Sequence, residues 1–289
     1  SSQKDARDHL VFRYNEQYQI STLDPAFARN PSIIWPTNQL FNGLVQLDDS
    51  LNVIPDIAKR WNVSNDALQY TFNLRKDVRF HKHEAFKTKD STRYVTAYDF
   101  TYSFNRLTDA QVASPGSWVL SNVDHYKAMN DSTFVITLKQ PFPAFLGLLS
   151  MRYCSVVPEE IVAHYGSDFR SHPVGTGPFK FKRWEEGVKR VLRKNELYYE
   201  YDEKGTQLPY LEAVAITFLP DKQSEFLQFA QGNLDFLNSL DPSYKDELLT
   251  ASGRLREKYQ SDVNLSVSPQ LNTEYIGFFL SSETDEVQS

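Results

Sequence analysis

The side chains in this sequence able to do chemistry fall in three places. His81, His83 and Glu84 share one loop, Cys154 stands alone, and Gly175 and Gly177 flank Thr176 ahead of Pro178 within HPVGTGPFKFKRWEEG, His172 to Gly187. Two histidines and a carboxylate suggest zinc or nickel. A closed site needs three or four ligands at set spacings, and this Lys-rich loop supplies no more, so no metal is expected. The glycine turn invites comparison with a phosphate cradle. It lacks a third glycine and a Gly-Lys-Ser/Thr, and Phe179 and Phe181 alternate with Lys180 and Lys182 as in a strand. A sharp structural turn is expected, with the glycines supplying backbone freedom. Ser117, in SPGSW, lacks the second glycine of a nucleophile elbow, and none of the six histidines forms a His-Glu-x-x-His. No catalytic residue and no cofactor are expected. Cys154 lies in the apolar run Phe142 to Val157 and reads as a small buried hydrophobe.

The positioning elements follow from periodicity. Leu10 to Asn15 alternates as a first strand, and Leu23-Asp24-Pro25 breaks it. Ile33 to Phe41 reads as a helix closed by Gly43, and Gln69 to Leu74 as a strand. Thr96 to Thr108 is the clearest helix. Thr96 and Asp99 form a capping-box variant, and Phe100, Phe104 and Leu107 make one apolar face. Further on come a strand over Phe134–Leu138, a helix over Pro141–Leu149, and a helix from Pro158 to Tyr165. After the glycine turn a hairpin runs through Val188–Arg193, and Tyr198, Tyr199, Tyr201 and Tyr210 read as surface packing around a polar loop. Ala213–Leu219 is a strand, Ser224–Gln231 a helix stopped by Gly232, Leu234–Leu237 a strand, and Tyr275–Leu280 a last apolar strand. Asp241 and Pro242 start a helix that Gly253 stops.

With 289 residues and 33.4 kDa, the chain is long enough for one or two domains. A net charge of −6 gives no basic footprint for nucleic acid. A single cysteine forbids an intramolecular disulfide without excluding an oxidising compartment. The longest apolar run is cut by Pro143 and Arg152, so no spanning helix is expected. Ser1 in place of Met suggests a mature or trimmed sequence, with Ser1–Asp8 as a tether after lipoprotein processing or as an unstructured terminus.

Several motifs in one order are more specific than any of them alone. Leu23–Pro25, IPDIAKRW (Ile54–Trp61), YTFNLRKDVRFH (Tyr70–His81), VTAYDFTYSFNRL (Val95–Leu107), the glycine turn and FAQGNLDF (Phe229–Phe236) follow each other here. In this order the chain, from about Leu10 to Phe279, resembles the family 5 extracellular solute-binding proteins. It departs from them at His81–Tyr94, a longer loop where the family has Phe-His-Asp-Gly and a short turn.

The resemblance implies an α/β fold, a type II periplasmic-binding-protein-like lobe. Its mixed sheet would be flanked by helices and carry an inserted smaller α+β subdomain. Residues 1–43 and 173–289 would form the major lobe and 44–172 the insertion, with the family's second lobe absent from this chain. The implied function is capture of di- or oligopeptides in an interlobe cleft and their delivery to the permease subunits of an ABC importer. A nickel, haem or sugar receptor on the same scaffold is the alternative, and a peptide hydrolase the alternative of another class. Ligand contacts would come from Arg29, Asn30 and Pro31, from Gly116, Ser117 and Trp118, and from Asn272, Thr273 and Tyr275. The expected protein is a monomer, periplasmic or cell-envelope, with a lipid anchor as one form.

Overall fold

The computed structural model describes residues 10–238, 240–267 and 276–278. The chain packs as two units, 1–238 and 239–289.

In the first unit the LVFRYN segment forms β1 (Val11–Asn15). Asp24 then caps a short 3-10 turn over Pro25–Phe27, and Asn30 caps α1 (Pro31–Leu40) by accepting the Ile33 N–H at 3.2 Å. The helix ends at Leu40, with Phe41 as its C-cap, and Gly43 plays no part in closing it. Next come the paired strands β2 (Val45–Leu47) and β3 (Val53–Pro55), then β4 (Ala58–Val63) and β5 (Gln69–Leu74). The helix α2 (Ala97–Thr108) carries the capping box of Thr96 and Asp99, and Arg93 holds Asp99 with two donors at 2.7 and 2.9 Å. With β6 (Val123–Asn130) and β7 (Thr133–Leu138), an antiparallel sheet forms in the order β4-β5-β7-β6. The apolar face of α2 covers it, with Phe104 edge-on to Phe134 at 5.5 Å and Phe100 tilted against the same ring at 5.9 Å. Such aromatic pairs add about 0.5–1.5 kcal/mol beyond their buried area.

Two short helices follow, α3 (Phe145–Leu149) and α4 (Glu159–Tyr165). The first is shorter than its apolar run suggested, because Pro141 and Pro143 keep the preceding residues out of the helix. A second sheet has the order β1-β10-β9-β8, built from β8 (Phe179–Glu185), β9 (Lys189–Lys194) and β10 (Ala213–Thr217). It is mixed: β1 runs parallel to β10 and the other pairs are antiparallel. Asp221 caps α5 (Lys222–Ala230). The strand expected over Leu234–Leu237 shrinks to one bridge between Phe236 and Tyr14, with the Asp235 N–H donating to Arg13 O.

The glycine turn is where the chain segments of the two sheets are tied together. Gly177 N–H donates to Leu40 O at 2.9 Å, and His81 N–H to Gly175 O at 2.7 Å. Gly175 N–H donates to His81 Nδ1, so the neutral ring carries its proton on Nε2 and donates it to Gly177 O at 3.0 Å. Neither glycine has a positive φ. The reason for glycine here is close approach instead: a Cβ on Gly175 would sit 2.1 Å from Leu40 O, and one on Gly177 2.5 Å from Gln39 O. His81 is thus a buried clamp on this turn, and burial lowers its pKa to about 4.

Beside the turn lies a buried polar network. Thr176 donates to Asn42 Oδ1 at 2.9 Å, Asn42 donates to Asp56 at 3.1 Å, and Tyr199 and Gly43 N–H donate to the same carboxylate. Tyr198 and Tyr199 are therefore interior residues, contrary to the surface role expected. Only Tyr201 and Tyr210 of that quartet are exposed.

In the second unit, Asp241 caps α6 (Pro242–Leu248). The helix stops before Gly253, which takes a positive φ in the turn joining the bridged residues Leu249 and Leu255. Of the strand expected at Tyr275–Leu280, residues 276–278 carry no strand and the others lie outside the described residues.

Candidate ligand-binding site

The Leu-Asp-Pro segment is fixed from three sides. Asp24 accepts the Ala26 N–H at 3.0 Å and a two-donor fork from Arg106, on the last turn of α2, one arm at 2.9 Å. Leu23 N–H donates to Arg170 O at 2.7 Å. The pair is nearly dry, and forked guanidinium–carboxylate contacts are directional as well as strong.

The same segment is laced to the SPGSW loop. Ser114 Oγ donates to Ala26 O, and Gly116 N–H donates to Ser114 Oγ at 3.0 Å. Gly116 lies against the ring of Tyr153, where a Cβ would come within 2.2 Å of the ring carbon. Burial raises the Tyr153 phenol pKa, and the nearby Arg29 charge partly offsets that. Two of the three expected contact segments, 29–31 and 116–118, are therefore brought together around Tyr153. The third, Asn272, Thr273 and Tyr275, lies outside the described residues.

Within the first two segments the roles differ. Asn30 spends its side-chain oxygen on Ile33 N–H and Ser32 Oγ, and Pro31 opens α1. Gly116 is buried under Tyr153, whereas Trp118 is 51% exposed and Arg29 projects from the surface. Two cavities flank the Ala28–Arg29 corner. One, of about 740 Å³, is lined by Thr22, Asp24, Arg29, Arg106, Pro115 and Arg170 among others. The other, of about 520 Å³, is lined by Ala28, Asn38, Gln39, Arg152, Tyr153 and Tyr198 among others. Both exceed the lower range of small-molecule sites.

Sequence reasoning missed Arg106, Tyr153 and Arg170. Arg106 lies to one side of the apolar stripe of α2, and its pairing with an Asp 82 residues away leaves no local signal. The chemistry on offer is recognition by hydrogen bonding and charge. The Cys154 thiol is fully buried and its pKa pushed up to about 12, far from a nucleophilic thiolate. Among the described residues no three His, Cys, Asp or Glu side chains converge as metal ligands, and no helix is long and apolar enough to cross a membrane.

Residues 52–284 match the bacterial extracellular solute-binding proteins, family 5 middle region. The chain belongs to that family. It is 26% identical over 256 residues to the dipeptide-binding protein of Escherichia coli, covering 83% of this chain and 44% of that protein. Among solved structures it resembles the ABC transporter-associated periplasmic binding protein DppA from Helicobacter pylori, in complex with the peptide STSA. The TM-score is 0.73 and identity 25%, over 84% of this chain and 50% of that one. It also resembles the binding protein AgaA in complex with agropinic acid, with TM-score 0.72 and 25% identity over 82% of this chain and 45% of that one. These likenesses make the fold that of a type II periplasmic binding protein. The chain spans about half the length of the relatives it matches.

Proposed function

We propose that this chain serves a solute receptor of an ABC importer, binding peptide-like solutes non-covalently and presenting them to the permease outside the cytoplasmic membrane. The observation that carries the reading is the junction at Tyr153. Two loops far apart in sequence are locked together there by Asp24–Arg106 and Ser114–Ala26, and they border two cavities of ligand size. Family membership and the peptide-binding names of the relatives support it. The grouping of strands, 11–15 with 179–217 in one sheet and 58–138 in the other, supports a major lobe from 1–43 and 173–289 with 44–172 as an insertion. Of the expected contact residues, Arg29 and Trp118 combine exposure with a long side chain not committed to a helix cap, and so are the two we assign to a ligand.

Calorimetry with a pool of di- and tripeptides tests the reading. Saturable binding that Trp118→Ala weakens several-fold at unchanged melting temperature is the expected result. Turnover of the peptides, or binding indifferent to both Arg29 and Trp118, would overturn it.

A further inference from the structure

The charges lining the larger cavity do not balance. Arg29, Arg106 and Arg170 face one carboxylate, Asp24, although the chain as a whole has a net charge of −6. Asp24 is already engaged: both of its oxygens receive Arg106, and one also receives the Ala26 N–H. Among the described residues the Arg170 guanidinium makes a single donation, to Ser21 O at 3.3 Å. Arg29 has no hydrogen-bond or ion-pair partner for its guanidinium among the described residues, and its charge acts on the nearby Tyr153 phenol. The groove thus presents two guanidinium groups with donors to spare. Its other wall is apolar, with Phe27, Ile33, Val112 and Val162.

Guanidinium forks match carboxylates geometrically, and an unpaired one keeps most of its donors for an incoming acceptor. We propose that this groove is an anion subsite. Arg29 and Arg170 receive a carboxylate of the solute while its hydrocarbon portion lies on the apolar wall. The solute class is then a carboxylate-bearing organic anion. Arg106 does not take part directly; by neutralising Asp24 it removes the one charge that would repel the ligand. This proposal deepens the solute-receptor reading and rests on it for the peptide probes alone.

Titration of the chain with Ala-Glu, Ala-Gln, Ala-Gln amide and glutarate tests it, in the wild type and in Arg29→Gln and Arg170→Gln. Neither variant removes an ion pair among the described residues, so melting temperatures should stay unchanged. The expected result is that the ligand holding the recognised carboxylate binds about tenfold tighter than the one lacking it, and that each variant removes this advantage. A side-chain carboxylate shows as Ala-Glu above Ala-Gln. A terminal one shows as Ala-Gln above its amide. Arginine-dependent binding of glutarate with no peptide bound would sustain the anion subsite and defeat the peptide reading. Equal binding of the three peptides, or equal losses for all of them in the variants, overturns the subsite and leaves the peptide reading standing. Failure of all four ligands overturns the subsite.

Discussion

Replacing His81 with Asn should remove a pH dependence of stability whose sign and size follow from the clamp. The folded protein holds the ring neutral: Nδ1 is occupied as an acceptor, Nε2–H donates to Gly177 O, and burial lowers the pKa to about 4 from an ordinary value near 6.5. The unfolded chain binds the extra proton more readily, so this stabilisation is complete above about pH 6.5 and is lost as pH falls toward 4. Linkage between these two values gives a loss of about 2 kcal/mol on going from pH 7 to pH 5. Asp56, raised by burial to about 6, and Glu16, raised by burial and by the Glu225 charge to about 7, work the other way, since acidification relieves their buried charge. They titrate in both proteins and cancel in the difference. Urea unfolding at the two pH values is the assay. His81→Asn should be less stable throughout, but its stability should fall by about 2 kcal/mol less than that of the wild type between pH 7 and pH 5. Parallel profiles would refute the buried neutral clamp.

Other consequences follow from close contacts. Gly177→Ala should lower the urea midpoint clearly and Ser117→Ala hardly at all, since a Cβ at 177 meets Gln39 O at 2.5 Å while Ser117 is exposed; equal midpoints would mean the turn yields. Arg106→Ala should cost about 3–5 kcal/mol in a denaturant titration, because it leaves the buried Asp24 carboxylate uncompensated. Tyr199→Phe should cost about 1–3 kcal/mol by removing a donor from buried Asp56. Added chelator should leave the melting temperature unchanged, since His81 and His83 are engaged by Gly175, Gly177, Tyr165 and Ala85.

What could be read from the sequence was local. The Thr96–Asp99 box and the stripe of Phe100, Phe104 and Leu107 lie within a few turns of one helix, and α2 starts and faces the sheet as they imply. The alternation of Gln69–Leu74 likewise became β5 with the same ends. What could not be read was any partner distant in the chain. His81 reads as a loop histidine because its partners lie 94 and 96 residues away. Tyr199 reads as surface because its carboxylate is 143 residues off. The glycine turn was recognised as constrained, but for the wrong reason: periodicity and composition hold no record of the α1 backbone pressing on it.

The same division runs through the candidate site, and it explains why only part of that site was legible. Arg29 and the SPGSW loop could be found because the resemblance to the family marks the loops after Leu-Asp-Pro and after the capped helix as candidate contacts. Arg106, Arg170 and Tyr153 belong to ordinary helical or 3-10 stretches and gain meaning only when Asp24, Ser21 and Gly116 are folded against them. A buried ion pair such as Asp24–Arg106 contributes little net stability over a well-packed apolar pair, yet breaking it is costly. Its presence beside Arg29, which has no partner among the described residues, is therefore better accounted for by what it does to the groove: it fixes the loop that carries Arg29 and cancels the acid, Asp24, that lines the cavity. A charge-neutral replacement of the pair, Asp24→Asn with Arg106→Gln, tests the two roles together, and loss of anion binding in it would refute them. It preserves hydrogen bonding across the junction, so anion binding should persist if the pair acts by neutralisation and position alone.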